Sequence, residues 1–290
     1  MRMVVTGAKG QLGVELLRAL SSLGEVQGLD LPELDITAAS CSDLLAALQP
    51  DWIIHAAAAT DVDGCERAPE VALAVNAQGT RQVADVCRLV GAGLVYLSTD
   101  YVFDGTKGVP YVEEDPPAPL NAYGRSKLEG EHAVRALAPR WTIVRTAWMY
   151  GKHGRNFVKA ICEKAAAGGP LRVVDDQVGS PTYATDLAEA IACLLARDLT
   201  GIFHLTNAGA CSWHAFAAAI LRLTGQTQVP LKRMSSAELD RPAQRPAFSV
   251  LENAAWHRAG LPPLRPWQEA LADMLAAPDF LRGSRCCAPS

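Results

Sequence analysis

The sequence predicts an α/β protein built on a doubly wound parallel sheet, with a smaller C-terminal lobe. Short β-rich runs alternate with segments of helical period up to residue 206, a pattern typical of βαβ units. A glycine turn joins the first strand to the first helix, and polar residues follow several later strands. Because ligands of such sheets bind beyond the carboxyl ends of the strands, the alternation also predicts where the functional site lies.

The composition is that of an ordinary globular protein. The chain has 290 residues, 49% hydrophobic and 20% charged, with a formal net charge of -4. This charge balance favours neither nucleic acid nor an anionic membrane as a partner. No apolar run is long enough to span a bilayer, and the N-terminus enters a strand without a secretory signal. We therefore expect a cytoplasmic protein whose eight cysteines are reduced thiols.

The first βα unit is a candidate nucleotide site. A β-rich run at residues 3–6 precedes a G-x-x-G-x-x-G turn formed by Gly7, Gly10 and Gly13, and helical periodicity follows to Leu20. Glycines allow the tight turn and the close approach of backbone to a pyrophosphate, while the helix N-terminus offers N–H groups and a positive dipole end. This turn predicts a dinucleotide cofactor.

The second strand, residues 26–30, ends in Asp30. A carboxylate at that position can accept hydrogen bonds from an adenosine ribose, which favours NAD over NADP. Lys9 could partly hold a 2′-phosphate instead, so the expected preference is moderate. Asp35 and Ile36 follow and could flank the adenine, although Asp35 could equally cap a helix.

The alternation continues through the rest of the chain. Strands are predicted at 52–56, 93–98 and 141–145, and helices at 71–90, 156–167 and 185–196. Residues 104–120, rich in Gly, Pro and acids, are expected to cross the surface, and residues 168–183 to hold a strand and a turn.

Tyr123 and Lys127 place a phenol and an ammonium one helical turn apart. Residues four apart share a helix face, so both side chains can enter one cleft, and a nearby positive charge lowers a tyrosine pKa from its usual value of about 10. The spacing alone is also common on solvated helices. Combined with the glycine turn and the hydroxyl of Thr99 at a strand end, it supplies the parts needed for hydride transfer.

These motifs make the chain similar to the extended short-chain dehydrogenase/reductase superfamily, whose fold is Rossmann-like, and within it to nucleotide-sugar reductases. The resemblance covers nearly the whole chain. It is carried by residues 7–13, 56–60 with Asp63 and Glu66, 98–105, 119–131, 145–151 and 176–182.

The resemblance implies NAD(P)H-dependent reduction of the 4-keto group of dTDP-4-dehydro-6-deoxy-L-mannose to dTDP-L-rhamnose by a homodimer. NADH or NADPH would be the cofactor, and Thr99, Tyr123 and Lys127 would be catalytic. The implied cofactor contacts are Gly7, Gly10, Gln11, Leu12, Gly13, Asp30, Asp35, Ile36, Ala57, Ala58, Ala59, Tyr123 and Lys127. The implied contacts to the sugar nucleotide are Thr99, Asp100, Trp148 and Arg245, the last as a candidate diphosphate contact.

Two positions qualify the resemblance. His55 stands where relatives often carry Asn. Some relatives bind magnesium between subunits, and Glu15 fits one of the positions involved, but we interpret Glu15 as a helix-surface side chain. No metal is predicted to be required.

Other functions remain open at this point. Epimerases and dehydratases belong to the same superfamily, although residues 99–101 lack the Asp-Glu pair that dehydratases place there. A non-catalytic subunit similar to the regulatory subunit of methionine adenosyltransferase would share the D-Y-V-F-D-G block; Thr99 and Trp148 favour the reductase.

The predicted domain division has two lobes and a tail. Residues 1–148, with residues 171–206, would form the NAD(P)-binding domain. Residues 149–170 and 207–280 would form the substrate-binding lobe, and residues 281–290, which lack periodicity, a disordered tail.

Overall fold

Strands and helices alternate along residues 1–277, the part of the chain that the computed structural model describes. The strands are β1 Arg2–Thr6, β2 Glu25–Leu29, β3 Trp52–His55, β4 Gly93–Thr99, β5 Arg140–Thr146, β6 Met149–Tyr150, β7 Leu171–Val174, β8 Val178–Gly179, β9 Thr182–Tyr183, β10 Gly201–His204, β11 Cys211–Ser212 and β12 Leu231–Met234. The α-helices are α1 Gln11–Leu20, α2 Ser40–Ala47, α3 Val62–Arg67, α4 Pro69–Leu73, α5 Thr80–Val90, α6 Ala122–Leu137, α7 Phe157–Ala166, α8 Ala184–Ala196, α9 Trp213–Leu223, α10 Ala254–Arg258 and α11 Trp267–Ala276. The tail predicted at 281–290 lies outside these residues.

The central sheet has six parallel strands in the order β10-β5-β4-β3-β1-β2. Its strand order reverses between β1 and β3, which creates a crevice at the carboxyl edge where ligands of such sheets bind. The predicted doubly wound parallel sheet is therefore confirmed.

Both faces of the sheet are buried under helices, which explains why its strands are almost continuously hydrophobic. Val5 of β1 and Ile54 of β3 pack with α1 and α8 on one face. Their neighbours Val4 and Ile53 point to the other face, where α2, α5 and α6 pack. Successive side chains of a strand point to opposite faces, so each strand contributes to both layers.

The helix predicted at 71–90 is continuous but irregular. A π-helical segment, Ala74–Gly79, separates α4 from α5. Such segments are rare and frequently occur at functional sites. This one carries Asn76, a buried side chain that hydrogen-bonds the segment following β3.

The smaller lobe has its own core. Val158, Leu171, Phe216 and Leu271 are among its buried members, contributed by α7, β7, α9 and α11. The predicted assignment of residues 171–183 to the nucleotide-binding domain differs from this arrangement. Strand β7 pairs in parallel with β12 rather than with the main sheet, so this stretch packs with the lobe and the boundary falls near Tyr183.

The composition led us to expect no membrane-spanning segment and reduced cysteines. No helix between residues 1 and 277 is long and apolar enough to cross a membrane. The thiols of Cys41, Cys65, Cys87 and Cys211 are buried and not in disulfides, and burial raises the pKa of the Cys41 thiol to about 11, which makes it unreactive near neutrality.

Candidate active site

A cleft of about 830 Å³ follows the carboxyl edge of the sheet. The ends of β1 to β5 form its floor, and α6 contributes side chains from one side. The structure brings together most of the predicted site residues here: Gly7, Gly10, Gln11, Leu12, Gly13, Asp30, Asp35, Ile36, Ala57, Ala58, Thr99, Asp100, Tyr123, Lys127 and Trp148 all line the cleft. Ala59 and Arg245 are not among its lining residues.

The glycine turn brings backbone segments too close for side chains. Gly7 has a φ of 71°, and a Cβ there would lie 2.7 Å from the Ala57 nitrogen. A Cβ on Gly13 would lie 2.2 Å from the Gly7 carbonyl oxygen. Helix α1 begins after Gly10 without a side-chain cap, so its first-turn N–H groups are available to an anion. The turn therefore fits the pyrophosphate of a dinucleotide.

Residues 151–155 form a loop beside this turn. The Asn156 amide donates to Gln11 Oε1 and to the Gly151 carbonyl, both at 2.8 Å. The Lys159 ammonium donates to the Gly154 carbonyl at 3.0 Å. These bonds hold the loop against α1 and place Arg155 in the lining of the cleft. Sequence reasoning missed Arg155, since no motif marks it.

The adenosine end of the cleft contains Asp30. Its carboxylate accepts from the backbone N–H groups of Lys9 and Leu31, each at 2.8 Å. The Lys9 ammonium donates to Glu33 Oε2 at 2.9 Å and to the Leu31 carbonyl at 2.7 Å. Lys9 thus has an anionic partner already, and holding a 2′-phosphate would compete with Glu33.

Asp35 closes a turn in the same region. It accepts from the backbone N–H and the hydroxyl of Thr37, at 2.9 and 2.7 Å. Helix α2 begins only at Ser40, so Asp35 is not a helix cap. Ile36 beside it is buried and packs against Gly79, where a Cβ would lie 2.9 Å from its Cδ1.

Asn76 fixes the segment that follows β3. Its amide accepts from the Ala59 N–H at 2.8 Å and donates to the Ala59 carbonyl at 3.0 Å. It also donates to the Ser126 hydroxyl at 3.0 Å. Ala57 and Ala58 line the cleft, whereas Ala59 is bound to the π-helical segment. A direct cofactor contact from Ala59 remains a prediction.

Tyr123 stands at the start of α6, where Asn121 caps the helix by accepting from the Gly124 N–H at 2.8 Å. The Thr99 hydroxyl tends to lower the pKa of the half-buried phenol, but desolvation dominates and raises that pKa well above the ordinary value. Thr99 Oγ1 in turn donates to Asp100 Oδ1 at 3.1 Å. The predicted catalytic hydroxyl and phenol therefore line the same cleft.

Lys127 lies one turn further along α6 and is buried. Burial lowers the pKa of its ammonium to about 7, against the opposing effect of Glu131. The ammonium faces the Tyr96 ring, 4.2 Å from the centroid. The net direction is opposite to the lowering expected from the Lys127 spacing, because burial raises the Tyr123 pKa.

Asp100 is a second buried acid in the cleft. Burial raises its pKa to about 7, and its Oδ2 has no hydrogen-bond partner among residues 1–277. A buried polar atom is normally paired, so an unpaired one that faces a cleft is suited to a ligand. Asp100 can thus exchange hydrogen bonds with a polar group of a bound ligand.

Trp148 forms the far wall together with Trp213, which sequence reasoning missed. Their rings stack with centroids 3.5 Å apart and planes 7° from parallel. Trp148 has a φ of 45°, a strained backbone conformation for a non-glycine residue. Gly179 makes room for it, since a Cβ there would lie 2.4 Å from the indole. Both indoles line the cleft, so Trp148 is more than a core residue.

Arg245 pairs with Asp63 outside the cleft lining. Its two terminal nitrogens donate to the two carboxylate oxygens at 3.0 and 2.9 Å. This pairing lowers the pKa of Asp63. Arg245 would have to leave Asp63, or share its guanidinium, to contact a diphosphate. That role remains a prediction.

Glu15 is buried rather than on the helix surface as expected. The 151–155 loop covers it, with His153 Nε2 3.6 Å from Glu15 Oε1, and Arg18 Nε lies 3.2 Å from Oε2. Within the described ranges no group of three or more His, Cys, Asp or Glu side chains is arranged to hold a metal ion.

His55 packs beneath the glycine turn, where it connects two hydroxyls. Thr6 Oγ1 lies 2.7 Å from Nδ1 and Thr80 Oγ1 lies 3.1 Å from Nε2. Burial, with the charge of Lys127, lowers the pKa of the imidazole to about 3. His55 is therefore a neutral structural residue.

The parallel sheet, the glycine turn and the Tyr123–Lys127 pair define an NAD(P)-dependent oxidoreductase of the extended short-chain dehydrogenase/reductase type. The chain belongs to the family described as the RmlD substrate binding domain, whose family model matches residues 1–279. This membership confirms the predicted family.

Similar proteins cover nearly the whole chain. A dTDP-4-dehydrorhamnose reductase of Streptomyces griseus is 44% identical over 95% of this chain and 93% of its own. A probable dTDP-4,6-dihydroxy-2-methyloxan-3-one 4-ketoreductase of Streptomyces antibioticus is 42% identical, over 97% of this chain and 96% of its own. A solved dTDP-4-dehydrorhamnose reductase of Bacillus anthracis, in complex with NADP, is 39% identical over 94% and 98%, with a TM-score of 0.92.

Proposed function

We propose that the protein reduces the 4-keto group of dTDP-4-dehydro-6-deoxy-L-mannose with NADH or NADPH and releases dTDP-L-rhamnose. The observation that carries this proposal is the position of the half-buried Tyr123 phenol near Thr99, in the cleft between the glycine turn and the tryptophan wall. The relatives that share almost the full length of the chain support the choice of substrate.

The cofactor end of the cleft is formed by the glycine turn and its surroundings. The N–H groups of Gln11 and Leu12 bind the pyrophosphate, Arg155 adds a positive charge beside them, and Asp30 accepts from the adenosine ribose. Lys127 donates to the nicotinamide ribose. When bound, NAD(P)H supplies the hydride.

The chain's own contribution to the reaction is a proton and its placement. Tyr123 donates its phenolic proton to the sugar oxygen at C4. The Thr99 hydroxyl, turned away from Asp100, donates a hydrogen bond to the same oxygen. A raised tyrosine pKa keeps the phenol protonated until negative charge develops on that oxygen. The raised pKa of Tyr123 therefore suits it to act as an acid in the reductive direction.

The sugar nucleotide occupies the other end of the cleft. Asp100 hydrogen-bonds a sugar hydroxyl through its unpaired oxygen, and the indole of Trp148, supported by Trp213, forms an apolar wall. Arg245, released from or shared with Asp63, is the candidate diphosphate contact.

A second substrate is favoured by one comparison. The Streptomyces antibioticus relative is named for a different dTDP-linked 4-ketone, so another dTDP-4-keto sugar is the alternative substrate. By resemblance to nucleotide-sugar reductases, we also propose that the protein is a homodimer in the cytoplasm.

The proposal is tested by incubating the protein with dTDP-4-dehydro-6-deoxy-L-mannose and either NADH or NADPH. We expect stoichiometric loss of the reduced cofactor and dTDP-L-rhamnose as the product by NMR. Tightly retained NAD without net oxidation would indicate an epimerase. A folded protein that turns over neither cofactor but binds methionine adenosyltransferase would overturn the proposal in favour of a regulatory subunit.

A further inference from the structure

Tyr96 lies in the middle of β4, directly beneath Lys127, and is fully buried. The Lys127 ammonium lies over its ring at 4.2 Å from the centroid. A cation in that position is attracted by the negative face of an aromatic ring, and the attraction is largest where water is excluded. Tyr96 does not line the cleft, so it acts on a ligand only through another residue.

The hydroxyl of Tyr96 holds the other end of Lys127. It donates to the Lys127 carbonyl at 3.2 Å and lies 3.4 Å from the Asn76 carbonyl. Helix α6 approaches closely enough for this because residue 130 is glycine, where a Cβ would lie 2.2 Å from the Tyr96 hydroxyl. One side chain thus contacts both the backbone and the ammonium of Lys127.

The charged and titratable groups around Lys127 are either paired with another residue or uncharged. The Tyr96 ring is therefore an important source of stabilisation for the Lys127 ammonium. Glu131, one turn along α6, favours the ammonium, but both its oxygens accept from Arg145. His55 stacks on the Tyr96 ring with the centroids 5.8 Å apart and is neutral. Tyr123 and Asp100 face the same cleft, and burial favours the protonated, uncharged form of each.

We propose that Tyr96 is a positioning residue for the reaction: its ring holds the Lys127 ammonium in place and keeps it charged for the nicotinamide ribose. This inference rests on the proposed function, in which Lys127 binds that ribose. It assigns a role to a side chain that touches neither ligand.

The sign of the effect follows from the charge. Burial lowers the pKa of Lys127 to about 7, and loss of the ring would lower it further because the cation loses an attraction. Cofactor affinity that depends on the ammonium is then lost at a lower pH. Loss of a desolvated cation–ring contact should lower the pKa of Lys127 by about one unit. Cofactor binding on the alkaline side of the profile would then be about tenfold weaker.

Two substitutions separate the ring from the hydroxyl. Tyr96→Phe keeps the ring, and Tyr96→Leu removes it. The readout is the Kd for NADPH as a function of pH, measured by fluorescence titration without any sugar substrate. We expect the alkaline loss of affinity to move to lower pH in Tyr96→Leu and to stay unchanged in Tyr96→Phe.

Tyr150→Leu is the matched control, because Tyr150 is equally buried and belongs to the core of the smaller lobe. It should lower stability without moving the pH profile. Tyr96→Met serves as a second ring-deletion variant if Tyr96→Leu does not fold. A ring-deletion variant with the wild-type profile, or an equal shift in Tyr150→Leu, would overturn the proposal. Because binding is measured alone, absence of turnover would count against the proposed function and leave this inference standing.

Discussion

The guanidinium of Arg145 and the carboxylate of Glu131 form a bidentate ion pair beneath the cleft. Arg145 Nε and Nη2 donate to the two carboxylate oxygens at 2.9 and 2.7 Å, and both side chains are at most 3% exposed. Ser98 donates to the same carboxylate at 2.5 Å. The pair joins α6, which carries Tyr123 and Lys127, to β4 and β5.

Glu131→Ala should destabilise the protein by about 3–5 kcal/mol, because it leaves the Arg145 charge buried without a partner. The free energy of unfolding in urea measures the loss. Glu129→Ala on the same helix is the control, since Glu129 is 57% exposed and a surface change of this kind is worth about 0.5 kcal/mol or less. Equal losses in the two variants would show that the pair is not holding α6.

Tyr123→Phe should lower kcat by a factor of about 10² to 10⁴, the usual contribution of a positioned acid. The variant should bind NADPH as tightly as the wild type, because the phenol donates its proton to the sugar and not to the cofactor. Stopped-flow turnover and fluorescence titration measure the two quantities. Tyr101→Phe is the control at the neighbouring ring, 6.0 Å away. Unchanged turnover in Tyr123→Phe would remove this residue from the mechanism.

Asp100→Asn should make the protein more stable at alkaline pH. Burial raises the pKa of Asp100 to about 7 in the folded state, from about 4 in the unfolded chain. The stability that this group contributes is therefore present below its unfolded pKa and is lost as the pH rises through its folded pKa.

The side-chain amide of Asp100→Asn does not ionise, so the variant does not lose stability as the pH rises. We expect Asp100→Asn to gain about 2–4 kcal/mol over the wild type at about pH 8 and little at about pH 4, measured by urea unfolding. Asp240→Asn in the smaller lobe controls for a general charge effect. A gain that does not depend on pH would mean that Asp100 is not the titrating group.

Arg155→Ala should weaken NADPH and NADH by the same factor, about tenfold, since a charge-assisted hydrogen bond to the pyrophosphate is common to both cofactors. Arg197→Ala, at the exposed end of α8, is the control. Calorimetric titration with each cofactor measures the effect. A loss confined to NADPH would place Arg155 at the 2′-phosphate instead.

The sequence was sufficient to predict the parallel sheet and most of the cleft lining. The strands of a doubly wound sheet are hydrophobic throughout, and the residues at their carboxyl ends converge on one edge whatever the details of the loops. Gly7, Asp30, Ala57, Thr99 and Trp148 were accessible to sequence reasoning for that reason.

The residues that were missed depend on contacts between distant parts of the chain. Trp213 reaches the cleft because α9 of the smaller lobe packs its first turn against Trp148, and Arg155 because Asn156 binds Gln11. Burial of Glu15 likewise depends on the 151–155 loop. The direction of the Tyr123 pKa could not be predicted from spacing, because the effect of burial exceeds that of neighbouring charges.

The central claim is that this cleft delivers hydride to the C4 carbon of a dTDP-linked sugar. The most direct measurement uses NADPH deuterated at the transferring position of the nicotinamide, with dTDP-4-dehydro-6-deoxy-L-mannose as the acceptor. We predict one deuterium at C4 of the dTDP-L-rhamnose product, seen by NMR and mass spectrometry. A product without the label at C4, or cofactor oxidation that does not depend on the sugar, would contradict the account.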